Sequence, residues 1–202
     1  AGYKTCMIGK WNSVKDEPEK LFDEAHHVLG WTGQYWPIKQ GQKPDDLPAW
    51  GPAEAGDAYQ TDELTGTACD FIARHTDEPF FLYLAYNAPH SPLRAKKAHR
   101  EQVAHLPTEP ERVYAAMLLA IDEGVGKVTE TLKAKGLEEN TLVVFVSDNG
   151  PTRSKKKWAP KGEDWPVVMI GKTGPLSGKK KSLLEGGIRE PFIMRYPARF
   201  KQ

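Results

Sequence analysis

Apolar residues in this chain fall into a few short continuous runs and one long helical stripe, set between two stretches without any period. Residues 142–147, LVVFVS, are apolar at five of six positions, and three of them are valine. Such a run predicts a strand buried on both faces, as in parallel sheets covered by helices. Residues 4–9 (KTCMIG) and 80–86 (FFLYLAY) predict two more strands, the second also buried, and residues 192–195 predict a fourth. Leu64, Ala68, Phe71 and Ile72 share one face of a helix predicted over residues 61–75, with Thr61 as its cap. Thr108 and Glu111 have capping-box spacing ahead of a second helix. That helix carries Tyr114, Met117, Leu118, Ile121, Val125, Val128 and Leu132 as a core stripe and ends at Gly136. Helix followed by strand, twice over, predicts βαβ crossovers and an α/β fold around a mostly parallel sheet flanked by helices.

Three of these strands run out into polar groups. Lys10 comes after the first run, His90 after FFLYLAY, and Asp148-Asn149 after LVVFVS. If these strands are parallel, all three groups emerge at one carboxyl edge, where open α/β sheets bind ligands. A carboxylate and an amide offer oxygen to a hard cation such as calcium or magnesium. A fixed positive charge and an imidazole beside it suit an anionic ester whose leaving oxygen needs a proton. Each group also has a plainer reading. Asp148 to Gly150 could be a simple turn, Lys10 a surface cation, and His90 a loop imidazole bonded to a carbonyl.

The totals narrow the classes. Basic and acidic residues nearly cancel, 28 against 27 in 202 residues, so nothing favours nucleic acid or an anionic membrane. No apolar run approaches the roughly 20 residues of a membrane span. Cys6 and Cys69 have no disulfide or zinc spacing and are expected to be ordinary buried thiols. The irregular stretches cover residues 12–60 and 151–180. Trp31, Tyr35, Trp36 and Trp50 lie in the first and could pack the loop down or stack on a sugar or aryl ring. Lysines 155–157 read as a solvated surface. The chain reads as one domain over residues 1–202, opening as if in mid-domain.

Four segments carry a family resemblance. AGYKTCMIGKW resembles AGY-x-T-x-x-x-GKWH, and PFFLYLAYNAPHSP resembles PFFLYLA-x-x-x-PH-x-P. GPLSGKKKSLLEGGIREPFIMRYP resembles G-x-LRG-x-KG-x-x-x-EGG-x-R-x-P, and residues 114–150 follow the same family's pattern throughout. The chain is thereby similar to the sulfatases of the alkaline-phosphatase-like superfamily, and several ordered motifs are far more specific than one.

The resemblance implies a partial catalytic domain of that fold and hydrolysis of a small-molecule or carbohydrate sulfate ester. It implies Asp148 and Asn149 as ligands of one divalent cation, calcium or else magnesium. It implies Lys10 and Lys180 as sulfate-binding cations, and His90 as a sulfate ligand or proton donor near the leaving group. Lys179 and Lys181 flank Lys180 and leave a one-residue ambiguity. Asn12 stands where the family has histidine after GKW; its amide can bind a sulfate oxygen but cannot shuttle a proton. The family's nucleophile is formylglycine, made from Cys or Ser in a Cys/Ser-x-Pro-x-Arg motif. Neither Cys6 nor Cys69 has that context, and the paired aspartates of the metal site are absent, so both are expected upstream and the 202 residues alone are expected to be inactive. Export to a periplasmic, secreted or lysosomal compartment is implied only by the resemblance. A phosphate or phosphonate ester hydrolase, or a non-catalytic sulfate- or glycan-binding relative, are the alternatives.

Overall fold

The structure, a computed structural model, describes residues 2–12, 17–29, 35–36, 47–51 and 58–200. Strand β1 (Lys4–Lys10) runs between β2 (Glu24–Leu29) and β4 (Phe80–Ala85), parallel to both. Helix α1 (Gln60–Arg74) lies between β1 and β4 in the chain and covers one face of their sheet, so the first predicted βαβ unit is present. Leu64, Ala68, Phe71 and Ile72 of α1 pack on Cys6 and Ile8, with Phe80, Leu82 and Leu84 alongside. Burying a side chain of this size contributes about 1.5–3 kcal/mol, which ties the helix to the strands.

Helix α2 (Glu109–Ala134) packs against α1 and carries the second core. Val113, Ala116, Met117, Ala120 and Ile121 meet Tyr35, Trp36, Tyr59, Leu93, Trp165 and Ile170 there. Met117 is therefore core, as its place in the apolar stripe predicts. Short pairs complete the scaffold. Strand β3 (Trp50–Gly51) runs parallel to β5 (Ala95–Lys96), and β6 (Val143–Val146) antiparallel to β9 (Phe192–Arg195). Strand β7 (Thr152–Arg153) runs antiparallel to β8 (Met169–Ile170), and a single helical turn, α3 (Glu185–Ile188), precedes β9.

The structure corrects several sequence expectations. LVVFVS is not a strand buried in the parallel sheet: β6 pairs only with β9 among the described residues, and Val144, Phe145 and Val146 are exposed. Val143 alone turns inward, onto the α1–β1 core. FFLYLAY is covered on one face, with Phe81 and Tyr83 exposed, because α1 covers only the side bearing Phe80, Leu82 and Leu84. Thr61 does not cap α1; Tyr59 holds that position and Thr61 is buried in the first turn, its carbonyl accepting from Thr65 Oγ1. Thr108 does stand at the cap of α2, but its hydroxyl donates to the Glu111 carboxylate at 2.6 Å rather than accepting from a backbone amide. Cys6 is buried whereas Cys69 is half-buried. Tyr35 and Trp36 pack with Tyr59, and Trp50 donates to Glu109, so these rings pack the fold. Trp31 lies outside the described residues.

Candidate sulfate and cation site

Two structural devices bring the polar groups together. The first is at Gly9, where β1 shifts register between Ile8 and Lys10. Gly9 takes a φ of +100°, and a Cβ there would collide with the Ala85 carbonyl oxygen of β4. Only glycine allows this bend beside so close a neighbour. The bend brings Lys10 out at the carboxyl edge, half-buried.

The second device joins the Asp148 turn to the segment bearing Lys180. Gly150 N–H donates to the Gly187 carbonyl at 3.2 Å, and Lys180 N–H to the Pro151 carbonyl at 2.8 Å. A Cβ on Gly150 would lie 3.0 Å from both Gly186 C and Gly187 Cα, and closer still to the Gly186 oxygen. Gly186 in turn sits on the backbone oxygens of Leu176, Ser177 and Gly178, with its N–H bonded to Ser177 O at 2.7 Å. The glycines of DNG and EGG therefore let two loops touch backbone to backbone.

His90 lies on the loop after β4. Its N–H donates to Asn87 O at 2.9 Å, and its own carbonyl accepts from Tyr35 Oη at 2.8 Å. Nδ1 is 2.8 Å from the Ser91 carbonyl, so Nδ1–H donates there and Nε2 is left facing the site. Burial holds the imidazole below its ordinary pKa; Lys10 and Lys180 push the same way, while the Ser91 bond and Asp148 oppose them. Lys10, Lys180 and Asp148 thus all act on one imidazole, although they come from three separate stretches of sequence. Their charges lie near enough to the His90 ring to bias its protonation.

Asp148 is exposed, and among the described residues its carboxylate has no hydrogen bond or ion pair. Asn149 Nδ2 donates to the Gly150 carbonyl at 3.1 Å, which leaves its Oδ1 for a ligand. Carboxylate and amide oxygen fit calcium or magnesium in kind, and supply two of the six or so oxygens such ions take. Asn12 lies two residues beyond β1 on the same edge, exposed, and its amide makes no hydrogen bond to the described residues.

Two residues at this site carry no motif that sequence reasoning could use. Glu190 follows Arg189 directly, and its Oε1 is buried without a partner. Burial and then Asp148 raise its carboxyl above the usual range, against a hydrogen bond from Ser147. A carboxylate in a run otherwise recognised by its glycines and arginine was the available signal. Asn87 is buried with neither amide atom partnered, three residues before His90. Such an unsatisfied group costs about 1–3 kcal/mol, and few are tolerated away from functional sites. The opening of NAPHSP was its only mark in the sequence.

Lysines flank the ambiguous position too, and the backbone distinguishes them. Lys181 takes a φ of +75°, the conformation expected where the related pattern has glycine, which supports Lys180 as the lysine before it.

Comparison with known proteins shows the family and the fold. The family described as Sulfatase matches residues 1–202. Arylsulfatase J of Mus musculus is 32% identical over 213 residues, covering 97% of this chain and 33% of that protein. N-acetylgalactosamine-6-sulfatase of Homo sapiens is 30% identical over 216 residues, covering 98% and 38%. The crystal structure of Ps i-CgsB in complex with k-i-k-neocarrahexaose superposes with a TM-score of 0.70 at 32% identity, covering 97% of this chain and 45% of that one. The chain thus spans about a third of the length of these curated relatives and 45% of that crystal structure, and its α/β fold is that of solved sulfatases.

Proposed function

The chain belongs to the sulfatase family, and from that premise we propose that its residues form the sulfate- and cation-binding part of a sulfuric ester hydrolase acting on sulfated carbohydrate. The observation that carries the reading is the convergence of Lys10, Lys180 and Asp148 on the His90 ring. Several relatives are named N-acetylgalactosamine-6-sulfatases and a solved neighbour was crystallised with a neocarrahexaose, which supports a sugar ester, although another relative is named an arylsulfatase. None of these relatives favours a phosphate or phosphonate substrate.

The reaction is hydrolysis: the ester oxygen leaves as an alcohol, and water's oxygen ends on sulfate. Lys10 and Lys180 hold the sulfate oxygens, supplying two fixed positive charges to a monoanionic group. Where such groups are held in a water-poor site, each is worth several kcal/mol to the transition state. Before sulfate binds, burial and then the two lysines favour the neutral form of His90. A bound sulfate offsets the lysine charge, which lets Nε2 take up a proton and pass it to the leaving oxygen while Nδ1–H stays on Ser91 O. Asp148 and Asn149 would hold the divalent cation, with Glu190 adjacent; a bound cation polarises sulfate oxygens as a Lewis acid. Asn12 would contact substrate without a part in proton transfer, since an amide cannot shuttle a proton.

Neither cysteine of these residues fits the formylglycine role. Cys6 is buried four residues before Lys10 on β1, its thiol pushed up to about 12 by burial, and Cys69 lies on α1. A formylglycine nucleophile would accordingly come from neither of these cysteines.

The test is sulfate release from a panel of sulfated sugars by the complete protein matured with its formylglycine-generating enzyme. We expect turnover that falls at least a hundredfold in His90→Ala and Asp148→Ala. Release of phosphate but no sulfate, or sulfate release unchanged in both variants, overturns the reading.

A further inference from the structure

A second group of metal-ligating side chains lies at the opposite end of β1, away from the site described. Cys6 of β1 and Glu24 of β2 are register partners on adjacent parallel strands, and His26 stands two residues beyond Glu24 on the same face. The Cys6 Sγ, a Glu24 carboxylate oxygen and a His26 ring nitrogen all lie within 4.8 Å of one another. A further imidazole stands just outside this trio at the end of α1, bonded to Glu24 only: His75 Nε2 is 3.0 Å from Glu24 Oε1, while His26 Nε2 is 3.0 Å from Glu24 Oε2, so His75 would close in on the other donors as the metal binds. Cys6 to Lys10 is four residues of strand, or about 13 Å, so this group is separate from the sulfate edge.

We propose that Cys6, Glu24, His26 and His75 form a zinc site that clamps the edge strand β2 to the end of α1. The donor set is one thiolate, two imidazoles and one carboxylate. Sulfur and nitrogen ligands select zinc over the calcium or magnesium suited to Asp148 and Asn149. The scaffold holds three of the donors before any metal arrives, on the paired strands β1 and β2, and the His75 ring is braced beside them against Phe71 at 4.6 Å.

The second layer is arranged as metal sites require. His75 Nδ1 is 2.7 Å from Glu78 Oε1, so its outer nitrogen is bound to a carboxylate and Nε2 is directed inward. Metal-binding histidines are commonly oriented by such a partner. Arg74 reaches Glu24 Oε2 at 3.0 Å and Lys4 lies 3.9 Å from Glu24 Oε1; both raise the cost of bringing in a cation. Two anionic ligands, the thiolate and the carboxylate, balance the charge of zinc and offset that cost. On binding, the metal–sulfur bond forms as the Cys6 thiol proton leaves to solvent, along with any proton the imidazoles share with Glu24. His26 is partly exposed and gives the ion its way in.

The experiment is a titration of the full protein, freed of metal by chelation, with Co²⁺ alone and then Zn²⁺. One equivalent of Co²⁺ should produce a thiolate-to-cobalt absorption band with tetrahedral d–d bands, and Zn²⁺ should abolish both by displacement. Cys6→Ser should lose the thiolate band, His75→Ala should weaken binding at least tenfold, and Glu78→Gln should weaken it about tenfold through its effect on His75. The oxygen site at Asp148 cannot give a thiolate band, so Asp148→Ala should leave the titration unchanged. Absence of the band in the folded wild-type protein overturns the proposal, and so does a band that survives Cys6→Ser, which would place the metal on Cys69. Since the wild-type titration decides first, a variant that fails to fold does not rescue the idea.

Discussion

Gly150 is where a single methyl group should separate stability from chemistry. Its φ is not in the left-handed region, so alanine can adopt the backbone and only the close approach opposes it. The added Cβ would lie 3.0 Å from Gly186 C and Gly187 Cα and overlap the Gly186 oxygen, all of them backbone atoms that no rotamer change can move. Relief requires the 186–187 backbone to retreat by roughly an ångström, since ordinary contacts of this kind lie near 3.5–4 Å. Overpacking of this sort costs about 1–3 kcal/mol, and stretching the Gly150–Gly187 hydrogen bond adds about 1 kcal/mol. In a domain of this size, that total corresponds to a melting temperature lower by roughly 5–15 °C. The same retreat shifts the segment bearing Lys180, and an ångström at a catalytic group can cost about a hundredfold in rate. The assay is a thermal melt of Gly150→Ala together with sulfate-ester turnover well below its melting point. Gly126→Ala is the control: it lies in α2 with open space around it and should melt no lower than wild type. If Gly150→Ala melts within a degree of wild type and turns over within twofold, the two loops are not held by that contact.

Three further outcomes are expected. Lys180→Ala should lower turnover by two orders of magnitude or more with the fold intact, while Lys179→Ala should be mild; the reverse would show that the lysine assignment is off by one. Lys181→Gly should raise stability by up to about 1 kcal/mol, because Lys181 is exposed and holds a φ of +75° that side chains disfavour; a lower melt would contradict the strain. Glu123 is drawn upward by burial, but its bonds to Lys96 and His99 at 2.8 Å outweigh this and hold its carboxyl below the usual range. A carboxylate with a lowered folded-state pKa contributes stability above its unfolded value of 4.5 and loses it as pH falls through the folded one. Urea denaturation should therefore show Glu123→Gln weaker than wild type at pH 7, with the gap closing below about pH 4; a constant gap would refute the coupling.

Local pattern was enough to locate most elements and most of the chemistry-bearing positions. The stripe of α2 and the shared face of α1 follow from helical periodicity, and Lys10, His90 and Asp148 were marked by standing after apolar runs. What the pattern could not decide was which neighbour each strand would take. LVVFVS has the composition of a buried central strand, yet it pairs antiparallel with β9 and leaves Val146 56% exposed, because burial depends on what lies beside a strand and composition does not encode that. The polar groups converge for a reason that composition does not state either. The segment bearing Lys180 is fixed beside the Asp148 turn through backbone contacts at Gly150, Gly186 and Gly187, and a glycine's value there is the absence of atoms, which shows only when the opposing chain is in place. Cys6 carries the same lesson. In sequence it is a lone thiol in an apolar run, and only strand pairing sets Glu24 and His26 around it, with His75 brought to Glu24 by the end of α1.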